Sequence, residues 1–251
     1  GADLLSGGNY GDTYLYYTND VDSGEAIVES SSGTGTDTIL VVTTTDFRNM
    51  TSSSLDEIEA LTLTSGQTAK FNDEQLTGES IVLTGTSDGV ETVEVYVTAG
   101  NQFTSGLTNT AANINFIYYY GSTGSESISG GAMSETISGG AGNDLLIGGG
   151  AADTYVFELA ANNGIDRLTF GVVNGSAVDD ILDFSVNVFL GDGTPDVGLI
   201  TESSADTTLT SDQAGDNILI LQNARFADAA ALSLSTMLFA DVFTADGKVL
   251  F

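Results

Sequence analysis

Short runs of alternating apolar and polar residues recur along the first half of the chain. Ala60–Thr64 (ALTLT), Ser80–Thr84 (SIVLT) and Val90–Val97 (VETVEVYV) are rich in β-branched residues, and Gly, Asn, Ser and Asp clusters separate them. Such runs predict half-buried β-strands. Comparable strands recur about every twenty residues, each too small to bury its own apolar face, which predicts the coils of a parallel β-helix. Helix signals are few: we expect one turn or a short helix at Leu55–Leu61 and an apolar helix at Phe226–Phe239.

Between Gly121 and Val156 the pattern becomes a repeat of nine residues, GSTGSESIS, GGAMSETIS, GGAGNDLLI and GGGAADTYV. The third unit, Gly139–Ile147, fits the template G-G-x-G-x-D-x-U-x, in which U is a large apolar residue. The first column is always glycine, which predicts backbone conformations that a Cβ would obstruct. The eighth column is always apolar, which predicts one inward side chain per short strand.

The sixth column of the repeat carries one carboxylate per unit, at Glu126, Glu135, Asp144 and Asp153. Ca²⁺ prefers six to eight hard oxygen ligands in a flexible geometry. Carboxylates stacked at short range repel one another unless a cation lies between them. The column therefore predicts calcium binding, and the alternative is a metal-free β-helix whose acids form Asx-type turns.

These nonapeptides resemble the RTX repeats of proteins that Gram-negative bacteria and cyanobacteria export by type I secretion. The resemblance implies that turns eighteen residues apart stack, so that Glu126 lies on Asp144 and Glu135 on Asp153. It also implies several Ca²⁺ ions, held between the turns by those carboxylates and by nearby backbone carbonyls. The turn glycines assigned to these sites are Gly139, Gly140, Gly142, Gly148 and Gly149.

The array is short and departs from the family pattern in places. Met133 and Ala151 replace one turn glycine, and Ser122 replaces another. The outer sites are therefore expected to be weaker than the central one at Asp144.

The N-terminus carries a second, less regular copy of the repeat. Gly1–Ser6 is the tail of one nonapeptide and Gly7–Leu15 is another, so we expect this chain to continue a roll within a larger protein. Asp3 and Asp12 fall in its acidic column, and Asp37 has a similar offset from the glycines before it. These three acids are predicted as further calcium ligands.

Other polar and aromatic groups have two interpretations. Asp73-Glu74 and Asp88 are ordinary turn residues or extra calcium ligands. Asp179, Asp180 and Asp183 form an acidic cluster that could bind a terminal calcium. Tyr118–Tyr120 could contact a cell-surface glycan or a protein, or lie half buried with polar tips in water.

The expected fold class is all-β: a right-handed parallel β-roll or β-helix solenoid with calcium-binding turns and a C-terminal β-rich cap. We expect three segments: a roll turn and β-helix coils over 1–120, the nonapeptide roll over 121–156, and the cap over 157–251. The last segment resembles the capping region beyond many RTX rolls. Its acidic and apolar end resembles an export signal, so Phe251 is expected to be the end of the protein.

Composition excludes several classes of function. With 35 acidic and five basic residues the formal net charge is −30, which disfavours nucleic acid and anionic membranes as partners. No apolar stretch has the length needed to insert across a bilayer. The chain has no His and no Cys, which excludes His-based triads, thiolate zinc sites and disulfides. Carboxylate-only catalysis, as in glycosidases, is the alternative that remains, but the chain has no Trp, the residue that commonly lines sugar-binding platforms. We therefore expect no enzyme activity in this chain.

Three functions remain. The chain resembles the C-terminal part of a bacterial S-layer protein, which implies a secreted, extracellular cell-surface location and calcium-dependent self-association into a lattice. The alternatives are the RTX region of a large adhesin and the export tail of a secreted enzyme. In all three the type I secretion machinery is an expected partner.

Overall fold

The computed structural model describes residues 2–29, 33–51, 55–86, 89–109, 114, 116–156 and 165–169, and the backbone of seven short strands after them. The strands of the first part are β1 (Leu4–Leu5), β2 (Thr13–Tyr16), β3 (Ala26–Ile27), β4 (Thr38–Val41), β5 (Thr45–Asp46), β6 (Ala60–Leu63), β7 (Thr68–Asn72), β8 (Val82–Thr84), β9 (Thr92–Tyr96), β10 (Gln102–Thr104), β11 (Thr108–Asn109) and β12 (Phe116–Tyr120). They are followed by β13 (Ser127–Ser129), β14 (Thr136–Ser138), β15 (Leu145–Ile147), β16 (Thr154–Val156), β17 (Ile165–Thr169), β18 (Val172–Val173), β19 (Ser176–Ala177), β20 (Asp180–Asp183), β21 (Val197–Glu202), β22 (Thr207–Ser211), β23 (Ile218–Gln222) and β24 (Gly247–Leu250). A four-residue helix, α1 (Asp73–Leu76), follows β7.

The chain divides into two units, residues 1–97 with 104–119 and residues 98–103 with 120–251. In the first unit, β2, β4, β6, β8 and β11 form one sheet, and β5, β7 and β9 are neighbours in a second. Their pairing is parallel, and successive partners such as Thr13, Thr38, Ala60 and Val82 are 25, 22 and 22 residues apart. This spacing confirms the predicted β-helix coils.

The core of the first unit consists of the inward residues of these strands. Alternate residues of β4 and β6 are buried, as period-2 strands require. Three aromatic rings pack together in this core: Phe47 stacks on Phe71 and meets Tyr16 edge-on, with a centroid distance of 4.9 Å in both pairs.

In the second unit, β13 pairs with β15 and β14 with β16, both in parallel. Ile128 lies beside Leu146 and Ile137 beside Tyr155, so the eighteen-residue register is confirmed. Beyond the last nonapeptide the parallel ladders continue into β17 and β20, and β21, β22 and β23 are antiparallel. This part confirms the β-rich region after the roll.

The turn predicted as one alternative at Leu55–Leu61 is confirmed, and a short helix forms elsewhere. At Leu55–Leu61 the described residues form a turn, in which the Ile58 amide donates to the Leu55 carbonyl, and then strand β6 from Ala60. The helix that does form, α1, contains the Asp73-Glu74 pair; Gln75 Oε1 accepts the Asn72 amide at 2.9 Å, which is the back-bond of a capping box.

Several predictions fall outside the described residues. They are the helix at 226–239, the turn at Asp88 and the position of Asp179; Asp180 and Asp183 lie on β20, but their side chains are not described. The proposed boundaries at 120/121 and 156/157 stay predictions. Within the described residues, α1 is far shorter than a membrane-crossing helix, and no other helix there is long and apolar enough.

Candidate metal sites

The sixth-column carboxylates lie inside the turns of the roll. Each directly precedes a short strand, two residues before the buried apolar residue of the eighth column. Since side chains two apart along an extended backbone point to the same side, the acid and the apolar residue both face inward. Glu126, Glu135, Asp144 and Asp153 are accordingly all buried, with no more than 2% of their surface exposed.

A ladder of hydrogen bonds links these acids from coil to coil. The Glu126 amide donates to Asp144 Oδ1 at 2.8 Å, and the Glu135 amide donates to Asp153 Oδ1 at 2.9 Å. The predicted stacking of these pairs is thus confirmed. The first ladder continues to a residue that the sequence analysis did not single out, because the Asp144 amide donates to Asp166 Oδ1 at 3.0 Å.

Asp166 lies in strand β17, 22 residues after Asp144 rather than eighteen, and is buried. The nonapeptide period therefore could not locate it. The available signal was the sequence Ile165-Asp166-Arg167-Leu168, in which the acid again lies two residues before a buried apolar residue.

The second oxygens of two array carboxylates have no hydrogen-bond partner among the described residues. Asp144 Oδ2 and Glu135 Oε2 are buried and unpaired. A Cβ at Gly139 would overlap Asp144 Oδ2, and a Cβ at Gly130 would lie 2.8 Å from Glu135 Oε2 and would also meet the Gly148 carbonyl. A buried, unpaired carboxylate oxygen is costly, and a hard cation is the partner that it lacks.

The role of the first-column glycines therefore differs from the prediction. None of them has a positive φ; they are needed because a side chain would fill the space beside the carboxylate of their own repeat. The left-handed backbone lies instead at Gly140 (φ 82°), Gly142 (φ 138°) and Gly149 (φ 100°). In addition, a Cβ at Gly140 would overlap the Ser122 carbonyl of the preceding coil.

The first two repeats differ from the last two in backbone conformation. Ala151 has φ 68°, which is strained for a residue with a Cβ. Positive φ occurs at the second and fourth positions only in the third and fourth repeats, and the corresponding residues Ser122 and Met133 do not adopt it. This difference accords with the expectation that the outer sites are weaker, which stays a prediction.

The residues of the array could hold a cation with carboxylates and backbone carbonyls together. Among the described residues, the array does not bring three carboxylate side chains within 4.8 Å of one another. Calcium in the array would therefore take Asp144 or Glu135 oxygens and complete its shell with turn carbonyls. The carbonyls of Gly139 and Gly148 lie against Gly121 and Gly130 of the preceding coils.

Burial shifts the protonation of these acids. It raises the pKa of Asp144 to about 6 and that of Asp166 to about 7. It raises the pKa of Glu135 to about 9, and neighbouring Asp153 contributes in the same direction. Without a cation, each of these groups therefore stays protonated to a higher pH than an exposed carboxyl does, because a buried charge loses its hydration.

These shifts predict different pH dependences with and without calcium. In the metal-free protein the folded state binds more protons than the unfolded state between about pH 4 and pH 9, so the free energy of unfolding falls as pH rises. Saturating calcium keeps the folded carboxylates ionised, as they already are in the unfolded chain above about pH 5, so the free energy of unfolding should change little between pH 5 and pH 8. Denaturant midpoints at pH 5 and pH 8 measure both cases, and an equal fall with rising pH in both would contradict the metal assignment.

The N-terminal candidates separate into one exposed acid and one cluster. Asp3 is exposed and does not join the other two. Asp12 and Asp37 lie together, since the Asp12 amide donates to Asp37 Oδ1 at 2.8 Å, as in the nonapeptide ladder. Glu29, which the sequence analysis missed, brings a third carboxylate within 4.8 Å of them.

This N-terminal ladder also continues into the next coil. The Asp37 amide donates to Glu59 Oε2 at 2.7 Å. Glu59 is half buried and directly precedes β6, as Asp12 precedes β2 and Asp37 precedes β4.

The aromatic run does not form a single surface. Tyr119 is fully buried and donates to Ser105 Oγ at 2.7 Å, whereas Tyr118 and Tyr120 are half buried on the opposite side of β12. Phe116 stacks on Tyr118 with a centroid distance of 5.9 Å. The run alternates between the core and the outer face, as a strand requires.

Comparison with known proteins identifies the array. Residues 120–155 and 129–166 match the family model of the RTX calcium-binding nonapeptide repeat (4 copies). No curated protein and no solved structure gave a significant match. The chain thus carries RTX calcium-binding repeats, which are typical of secreted proteins, and the matched segment ends at Asp166.

Proposed function

We propose that this chain is a non-catalytic, calcium-dependent part of an S-layer, the protein lattice on a bacterial surface. The observation that carries the calcium dependence is the pair of buried, unpaired oxygens at Asp144 and Glu135, each beside a glycine that leaves it space. The resemblance of the chain to S-layer proteins supports the lattice role. Export by a type I machinery is part of the same proposal.

Calcium binding and coil stacking depend on the same side chains. In Asp144, Oδ1 accepts a hydrogen bond from the Glu126 amide of the preceding coil, while Oδ2 faces the space beside Gly139. An ion at Oδ2 would offset the cost of burying the Asp144 charge, and the same carboxylate would keep its stacking hydrogen bond through Oδ1. The binding free energy is then largely folding free energy, so the chain would stay expanded at low cytosolic calcium and fold outside the cell.

The distribution of charge supports association between copies. On one sheet of the first unit, the outward residues of β2, β4, β6 and β8 are Thr13, Leu15, Thr38, Leu40, Ala60, Thr62, Val82 and Thr84. None of them is charged, although the chain has 35 acids. Copies that each carry a formal charge of −30 repel one another unless they meet through such uncharged faces or through cations.

The second sheet of this unit neutralises its charges by pairing. Lys70 Nζ lies 2.9 Å from Glu94 Oε2, and Arg48 forms a 2.6 Å ion pair with Asp46. Arg48 also lies over the Tyr96 ring, 4.4 Å from its centroid. The nonapeptide segment 121–156, by contrast, contains four acids and no Lys or Arg, so calcium is the cation that would neutralise them.

Electron microscopy of the complete protein at rising calcium concentrations tests the lattice. We expect ordered sheets to appear only after circular dichroism shows that folding is complete, and we expect magnesium to substitute poorly because it holds its waters in a small octahedron. Monodisperse, elongated monomers at every calcium concentration would refute the lattice and favour an adhesin or an enzyme export tail.

A further inference from the structure

Three carboxylates converge beside the first coil, outside the residues that match the nonapeptide family model. Asp12 directly precedes β2, Asp37 directly precedes β4, and Glu29 lies two residues after β3. One oxygen from each lies within 4.8 Å of the other two. Two oxygens bound to the same Ca²⁺ are at most about 5 Å apart, so the three can share one ion.

A buried atom points independently to a ligand at this place. Asp12 Oδ2 is buried and has no hydrogen-bond partner within the described part of the chain, like Asp144 Oδ2 in the array. A Cβ at Gly7 would overlap it. The Gly7 amide donates to Glu29 Oε1 at 3.0 Å and the Gly8 amide to Glu29 Oε2 at 3.2 Å, so Glu29 and Asp12 Oδ2 meet at the same glycine.

No basic side chain is available in this unit to neutralise the cluster. The first unit contains two basic residues, Arg48 and Lys70, and both are paired with other acids. The amides of Gly7, Gly8 and Asp12 satisfy some of the carboxylate oxygens but carry no net charge. Three carboxylates this close repel one another, and a cation bound between them would remove that repulsion.

We propose that Asp12, Glu29 and Asp37 form a separate divalent-cation site of the calcium class, with Glu29 as its distinguishing ligand. This inference rests on the proposed calcium dependence of the chain and extends it to a second kind of site. The array sites lie among fully buried acids and depend on turn carbonyls, whereas this site has three carboxylates, two of which, Asp12 and Glu29, are only partly buried. An ion here joins the segment after β3 to the first two coils.

Counting bound ions tests the site. The full chain is dialysed against calcium, and the bound metal per chain is measured for the parent, Glu29→Gln and Asp12→Asn, with Asp56→Asn as a control that removes one exposed negative charge. We expect each site variant to lose one ion, the double variant to lose no second ion, and the control to lose none. Gln at position 29 can still accept an amide hydrogen bond, so the fold should be retained; circular dichroism checks this.

The outcomes separate this inference from the proposed function. If the parent binds calcium and both site variants bind the same number of ions as the control, the separate site is refuted while the array stands. A parent that binds no calcium refutes both. If Glu29→Gln fails to fold in calcium, Asp12→Asn alone decides, and an unchanged ion count in that variant refutes the site.

Discussion

Removal of calcium is expected to unfold the nonapeptide roll. The four sixth-column acids are buried, and Asp144 and Glu135 each have an oxygen without a partner, so the metal-free roll carries the full cost of burying them. A site held at about a thousand times its dissociation constant stabilises the fold by about 4 kcal/mol, and several such sites together rival the 5–15 kcal/mol stability of a typical domain. The effect should therefore be the difference between a folded and an unfolded chain.

Circular dichroism titrated with calcium measures this directly. We expect a cooperative gain of β signal, and no comparable gain when the same ionic strength is supplied by sodium chloride, which screens charges without filling the turns. An equally folded chain in excess chelator, with no bound metal detected, would overturn the calcium assignment and favour the metal-free β-helix.

Replacing Asp144 by Asn is expected to have effects of opposite sign with and without calcium. The amide oxygen of Asn can still accept the Glu126 amide, so the stacking bond is kept. In calcium the variant loses a ligand, and the affinity of the central site should fall by at least about tenfold, since even changes in groups that only support a metal ligand cost 10–100-fold. Without calcium the variant should be more stable than the parent at pH 8, because it no longer buries a charge.

Isothermal titration and denaturant midpoints at pH 8, with and without calcium, provide the measurement. Asp56→Asn is the matched control, since it makes the same change at an exposed position in the turn before β6 and should change neither quantity appreciably. If Asp144 served only as a turn residue, Asn would shift the midpoint in the same direction in both conditions. That result would refute the proposed metal role of the central repeat.

The sequence alone determined the roll and its register. The nine-residue period places a glycine, an acid and an apolar residue at fixed offsets, and alternation along each strand turns the last two inward. The stacking of Glu126 on Asp144 and Glu135 on Asp153 came from the family resemblance, and the strand pairing agrees with it. These features depend on local spacing, which a linear sequence displays.

Only the tertiary structure showed the residues that complete these ladders. Asp166 and Glu59 continue them at intervals of 22 residues, and Glu29 meets Asp12 and Asp37 across coils. The coil lengths outside the array vary, so no fixed period marks which acids face one another. The steric requirement for glycine at position 139 could not be predicted from spacing either, because it comes from the space that the folded Asp144 side chain occupies. Contacts that depend on how coils of unequal length stack are decided by packing rather than by spacing along the chain.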